Sequence, residues 1–154
     1  VNISKKKPIQ IIQQTNVNSV VELSNFYSKY NIENKIFSFD KNFSKILHQV
    51  DLCITRAGAS TLAELSVSNI PFIAVPLPSS KDNHQLENAN FYKDNGCCWI
   101  IEQDNFEEKI EETLKNIIKD NSDFFKKKEN LKKINYKNTW INVNQKILRT
   151  LNEN

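Results

Sequence analysis

The sequence predicts an α/β domain on a doubly wound, Rossmann-like parallel sheet, and three observations carry that prediction. Short apolar runs rich in Ile and Val alternate about five times with amphipathic stretches of ~10 residues. Short, largely apolar runs between helices read as strands of a parallel sheet covered on both faces. The least ordinary residues gather just past the ends of those runs, where ligands sit in such sheets.

Taken in order, Ile9–Gln13 is an Ile-rich strand and Ser19–Tyr30 a helix, with Val20, Val21, Leu23, Phe26 and Tyr27 at helical spacing. Lys35–Phe39 is a short strand, followed by a helix over Asn42–Gln49 with Asn42 as its cap. Asp51–Thr55 is a strand ending at the Arg56–Gly58 turn, and Ser60–Ser68 is the next helix. Pro71–Val75 is a strand and Pro76–Lys81 a proline-bearing loop. Asn83–Asp94 is a helix closed by Gly96, a residue suited to the left-handed position past a helix end. Cys97–Ile101 is the last strand, and Phe106–Lys119 a helix with Ile110, Leu114, Ile117 and Ile118 on one side. Right-handed crossovers fix how each unit winds. After Asn121 the pattern changes. Phe124, Phe125, Leu131 and Ile134 suggest one helix, and Trp140, Val143, Ile147, Leu148 and Leu151 another. Residues 1–121 are thus expected to form the α/β domain and 122–154 a helical tail that packs on a partner domain.

With 154 residues, 25% charged and 39% hydrophobic, the chain is long enough to bury a core. A mean hydropathy of -0.54 and no apolar run near ~18 residues exclude a membrane-spanning helix from the expected structure. Three cysteines, Cys53, Cys97 and Cys98, form no CxxC pair, so a reducing, cytoplasmic setting without structural disulfides or zinc is expected. Met is absent, and the chain is expected to be a piece of a longer protein. The net charge is +3, with lysines gathered at Lys126–Lys128 and Lys132–Lys133. They form either a solvated helix face or a surface for an anionic membrane; no aromatic-interleaved motif or zinc-finger spacing points to nucleic acid.

Two constellations carry chemistry. The first is Arg56-Ala57-Gly58-Ala59-Ser60-Thr61-Leu62-Ala63-Glu64, in a chain whose only glycines are Gly58 and Gly96. A strand runs into small residues and then a helix, whose free N–H groups offer donors to an anion or a sugar hydroxyl. Glu64 is one turn in, where a carboxylate can accept two hydrogen bonds from a ribose diol. Equally, Thr61-x-x-Glu64 fits a capping box that serves only the helix. The second constellation is Asp82-Asn83-His84-Gln85-Leu86-Glu87-Asn88-Ala89, with Asp82 as the expected N-cap. His84 and Gln85 would project from the first turn, and a neutral amide suits sugar hydroxyls. His48 is the only other histidine, so no metal site is expected. No nucleophile–base–acid triad and no glycosidase carboxylate pair is visible. The residues by themselves give a binding domain for a ligand with sugar and anionic parts, and no reaction.

Together, and at this separation, the two constellations are more specific than either alone. Arg56-x-Gly58-Ala59-x-Thr61-x-x-Glu64, then Ile70-Pro71, Val75-Pro76 and Asp82-x-His84-Gln85-x-x-Asn88-Ala89, resemble the C-terminal half of the MurG family. These are bacterial UDP-N-acetylglucosamine transferases of peptidoglycan synthesis with the two-domain GT-B fold. The resemblance is strongest from Asp51 to Gln103. It implies a donor-binding domain in which Glu64 holds the ribose of UDP. The backbone over Gly58, Ala59, Ser60, Thr61, Leu62 and Ala63 would contact the diphosphate and sugar. Gln85, with His84 beside it, would bond the N-acetylglucosamine (GlcNAc) hydroxyls, and Phe39-Asp40 would meet uracil through the main chain. The family more often has an aliphatic residue at the position of Asp40.

The family's glycine-rich phosphate loop and its acceptor-binding N-terminal domain are not in this sequence. The resemblance therefore implies no catalytic residue here, no cofactor and no metal, and a chain inactive by itself. The implied partners are UDP-GlcNAc and, through the absent domain, the lipid I acceptor at the inner face of the cell membrane. Three alternatives stand beside this one. They are a stand-alone UDP-GlcNAc-binding subunit of a two-component transferase, half of a UDP-GlcNAc epimerase, and an interaction module built on the basic tail.

Overall fold

The computed structural model describes residues 8–137. Within the chain two compact units part between Val50 and Asp51.

In the first unit, β1 (Gln10–Gln14) and β2 (Glu33–Phe37) pair in parallel, with Ile12 opposite Lys35. The connection is α1 (Val20–Lys29), entered through a single 3-10 turn. Asn16 caps that turn, its Oδ1 accepting from the Ser19 N–H at 3.1 Å. α1 ends where Asn31 takes a left-handed φ of 53° and the Ile32 N–H returns to the Tyr27 carbonyl at 3.0 Å. Polar pins hold the helix in place. The Tyr27 hydroxyl donates to Gln13 Oε1 at 2.7 Å, and the Ser24 hydroxyl donates to Asn34 Oδ1 at 3.0 Å. The expected apolar stripe of α1 divides. Val20, Leu23 and Tyr27, spaced as one helical face, are partly buried, whereas Val21 and Phe26 lie off that face and are exposed.

The short helix α2 (Phe43–Leu47) buries Ile46 and Leu47. Asn42 does not cap it through its side chain, contrary to expectation. Its backbone N–H donates instead to Asp40 Oδ1 at 2.8 Å, so the turn is organised two residues earlier.

In the second unit, β3 (Cys53–Thr55), β4 (Phe72–Ala74) and β5 (Cys98–Ile100) form a parallel sheet in the order β3-β4-β5. The strands are shorter than the apolar runs that predict them, yet backbone bonds carry the ladder beyond their ends. The Cys53 N–H donates to the Pro71 carbonyl at 3.2 Å, the Val75 N–H to Thr55 at 2.8 Å and the Ile101 N–H to Ala74 at 3.0 Å. The central strand is buried throughout, and its side chains alternate between two helical layers. Phe72, wholly buried, meets Tyr92 of α4 (His84–Asp94) edge-on at 5.4 Å. Ile73 faces the other way, into a cluster with Val75, Ile101 and Ile110, Leu114 and Ile117 of α5 (Phe106–Lys119). Burying a side chain of this size stabilises by roughly 1.5–3 kcal/mol. Helices over both faces of a parallel sheet are the predicted doubly wound arrangement.

α3 (Ala59–Val67) buries Leu62 and Leu65 and packs against α4 and α6 (Ser122–Lys137). α6 is the described part of the predicted tail. Leu131 is wholly buried, and the Lys127 ammonium sits 4.6 Å from the Trp99 ring centroid. Asp123 accepts from Trp99 Nε1 at 3.0 Å. This stretch of the tail is thus docked within the second unit. The second predicted tail helix, Trp140 to Leu151, lies outside the described residues.

Candidate functional site

The site grows from the carboxyl ends of β3 and β4. β3 runs into Arg56-Ala57-Gly58, and Gly58 is the N-cap of α3, with φ -68° and ψ 135°. A glycine offers no side-chain oxygen to the helix, and no side chain caps this end. The first helical bond is the Leu62 N–H to the Gly58 carbonyl at 3.0 Å. The N–H groups of Ala59, Ser60 and Thr61 precede it and have no acceptor in the helix. They carry the positive end of the helix dipole, and no acidic residue stands in the first turn.

Gly58 is not a glycine for the sake of the fold. Its φ is one that any residue adopts, and a Cβ there would meet only Thr61 Oγ1, at 3.9 Å. Gly96 is the opposite case, with φ +69° and Asn130 Nδ2 2.7 Å from the place of a Cβ. One glycine answers to the backbone; the other stands, without a steric need for it, beside amides that have no acceptor among the described residues.

The N-cap position bears on the capping role of Glu64. Thr61 is the third residue of α3, not its cap, so the Thr61–Glu64 capping box is not formed. Glu64 is exposed, and its carboxylate bonds to no described residue. It shares a helix face with Ser60 and Thr61, four and three residues before it. Ala59 and Ala63 are exposed and Leu62 is buried as core.

α4 supplies the second half of the site. Gln85 Oε1 accepts from the Ala57 N–H at 3.2 Å and from the Leu77 N–H at 3.0 Å. It thereby joins the loop after β3 to the loop after β4. Asn88, to which the sequence reading gives no role, donates from Nδ2 to the Ala57 carbonyl at 3.1 Å. Its spacing of three from Gln85 is the signal that could have found it. Arg56 reaches the Val75 carbonyl through Nη1 at 3.3 Å. His84 is exposed, with Nδ1 2.7 Å from the Lys81 carbonyl. That partner only accepts, so Nδ1 carries the proton, and in a neutral ring Nε2 is a free acceptor. Asp82 is not the N-cap of α4. Asn83 holds that position, and both residues take left-handed φ values, 52° and 54°, so the chain kinks between the short turn over Lys81–Asn83 and the helix.

Asp40 belongs to the first unit, past the end of β2. Its carboxylate turns the chain through Asn42 and lies 3.8 Å from Lys35 Nζ. Neighbouring Phe39 is 73% exposed. Among the described residues, no three or more His, Cys, Asp or Glu side chains gather as metal ligands.

A family model described as the glycosyltransferase family 28 C-terminal domain matches residues 2–140. The chain is 43% identical, over all of its length and 44% of the relative's, to a protein of Pelagibacter ubique. That protein is named UDP-N-acetylglucosamine--N-acetylmuramyl-(pentapeptide) pyrophosphoryl-undecaprenol N-acetylglucosamine transferase. The protein of the same name from Rickettsia bellii is 38% identical over 75% of this chain and 34% of its own. The crystal structure of Acinetobacter baumannii MurG matches with a TM-score of 0.71 at 25% identity, over 82% of this chain and 37% of that one. This chain therefore spans less than half the length of these relatives.

Proposed function

This chain belongs to the glycosyltransferase family 28 C-terminal domain family, and on that premise we propose that it is the UDP-GlcNAc-binding part of an inverting GlcNAc transferase. The reaction moves GlcNAc from UDP-GlcNAc to lipid I and yields lipid II. The C4 hydroxyl oxygen of the acceptor's MurNAc unit bonds to the anomeric carbon. The bond from that carbon to the β-phosphate oxygen breaks, and UDP leaves. The hydroxyl proton goes to a base outside this chain.

This chain's residues bind and orient the donor. The open N–H groups of Ala59, Ser60 and Thr61 take the diphosphate, where charge grows as UDP departs. The exposed Glu64 carboxylate accepts both ribose hydroxyls. Gln85 donates from Nε2 to a sugar oxygen, and His84 Nε2 accepts from a sugar hydroxyl. The main chain at Phe39-Asp40 meets uracil. The observation that carries this reading is Gly58, a glycine that the fold does not demand, beside amides without an acceptor among the described residues.

A lipid-linked acceptor places the reaction at a membrane surface. No described helix is long and apolar enough to cross one, and the proposed location is peripheral, at the inner face of the cell membrane.

The test is calorimetric titration of UDP-GlcNAc into the full-length protein and its Glu64→Ala variant. One site per chain is expected, weakened by about 1–3 kcal/mol in the variant, the scale of lost charge-assisted hydrogen bonds. Equal affinity in both proteins leaves Glu64 without a ligand role.

A further inference from the structure

Gln85 and Asn88 stand three residues apart on one face of α4 and take opposite ends of a single residue's backbone. Gln85 Oε1 accepts from the Ala57 N–H at 3.2 Å, and Asn88 Nδ2 donates to the Ala57 carbonyl at 3.1 Å. The first bond holds the peptide before Ala57 and the second the peptide after it. Ala57 is wholly buried, and the next residue, Gly58, is the N-cap of α3. Neither peptide can rotate without breaking a bond, so the direction of the open amides is set in advance.

The partners also fix how each side-chain amide points. A backbone N–H cannot donate to an NH2 group, so the two donors from Ala57 and Leu77 hold Gln85 by its carbonyl oxygen. Gln85 Nε2 is left without a described partner and can only donate. A ligand atom opposite it must therefore be an acceptor, such as a hydroxyl or carbonyl oxygen. A free glutamine amide is both donor and acceptor; here the backbone uses up the acceptor half.

We propose that Asn88 is a positioning residue of the nucleotide-sugar site. It holds the Ala57 carbonyl so that the α3 amides and the Gln85 NH2 group are aimed before the ligand arrives. The inference rests on the donor-site reading above. Its physical content is preorganisation: groups already oriented lose less freedom on binding than groups that must be ordered.

Two variants of the full-length protein test it. Asn88→Ala removes the donor. Asn88→Asp keeps the shape and sets a carboxylate oxygen against the Ala57 carbonyl. Each is expected to weaken UDP-GlcNAc binding, by calorimetry, about threefold to thirtyfold, the worth of one or two neutral hydrogen bonds. The donor KM should rise in step while the acceptor KM stays put. The Asp variant should regain donor affinity relative to wild type as pH falls, because a protonated carboxyl donates to Ala57 again. A residue that serves folding alone lowers Vmax with the folded fraction and leaves both KM values unchanged, and that result overturns the proposal. Wild-type protein that binds no UDP-GlcNAc overturns the donor-site reading as well. Wild-type binding that both variants retain in full overturns the role of Asn88 alone.

Discussion

Asn130 on α6 donates from Nδ2 to the Gly96 carbonyl at 3.1 Å, and the same nitrogen lies 2.7 Å from where a Cβ on Gly96 would stand. The turn that closes α4 is thus built around the absence of a side chain, and α6 is seated on that absence. Gly96→Ala meets both a left-handed backbone and the amide of Asn130. It should destabilise the fold by about 1–3 kcal/mol in urea unfolding. In an Asn130→Ala background part of that loss should vanish, because the collision is gone. An identical loss in both backgrounds would assign the whole effect to φ.

Gly58→Ala should behave in the opposite way. The φ is ordinary and the space is open, so stability should change by less than about 1 kcal/mol. Donor binding should suffer, since the new methyl stands where a diphosphate approaches the amides of Ala59 and Ser60. Thermal unfolding and UDP-GlcNAc titration on the same variant separate the two. A variant that binds the donor as wild type does would remove the strongest support for the site.

The cysteines make stability sensitive to alkali. Burial pushes the thiols of Cys53 and Cys97 up to about 11 from an ordinary 9.0. Burial first, and then the neighbouring Cys97, push Cys98 up to about 12, while Lys127 pulls the other way. Below the ordinary value both states keep these protons, and nothing changes with pH. Between it and the raised values only the unfolded chain ionises, so rising pH draws the equilibrium toward unfolding. Urea midpoints at about pH 8 and about pH 10 should fall, and fall less steeply in Cys98→Ala. An equal decline in the variant would place the alkaline sensitivity elsewhere.

Much of this molecule is legible in its sequence, for reasons that differ by residue. The run Phe72-Ile73-Ala74 announces a central strand because both its faces are covered. Phe106–Lys119 is predicted to the residue because an apolar stripe three and four apart admits no other local structure. Caps are harder. Thr61, Asp82 and Asn42 are all good capping types, yet the caps of α3 and α4 fall on other residues, and Asn42 holds the cap position of α2 without a side-chain bond. Which residue caps depends on where the chain leaves its strand, and that is decided by long-range bonds. Gln85 holds the loop after β3 from 28 residues further on, and no local pattern shows it. The site residues are legible as types in a pattern. Their division into groups that hold the backbone and groups left free for a ligand requires the fold.

The most direct measurement is a crystal structure of the full-length protein with UDP-GlcNAc bound. The diphosphate is expected within ~3 Å of the amide nitrogens opening α3, the ribose hydroxyls on Glu64 and a sugar oxygen opposite Gln85 Nε2. A nucleotide seated away from Gly58, with Glu64 still free in solvent, would contradict it.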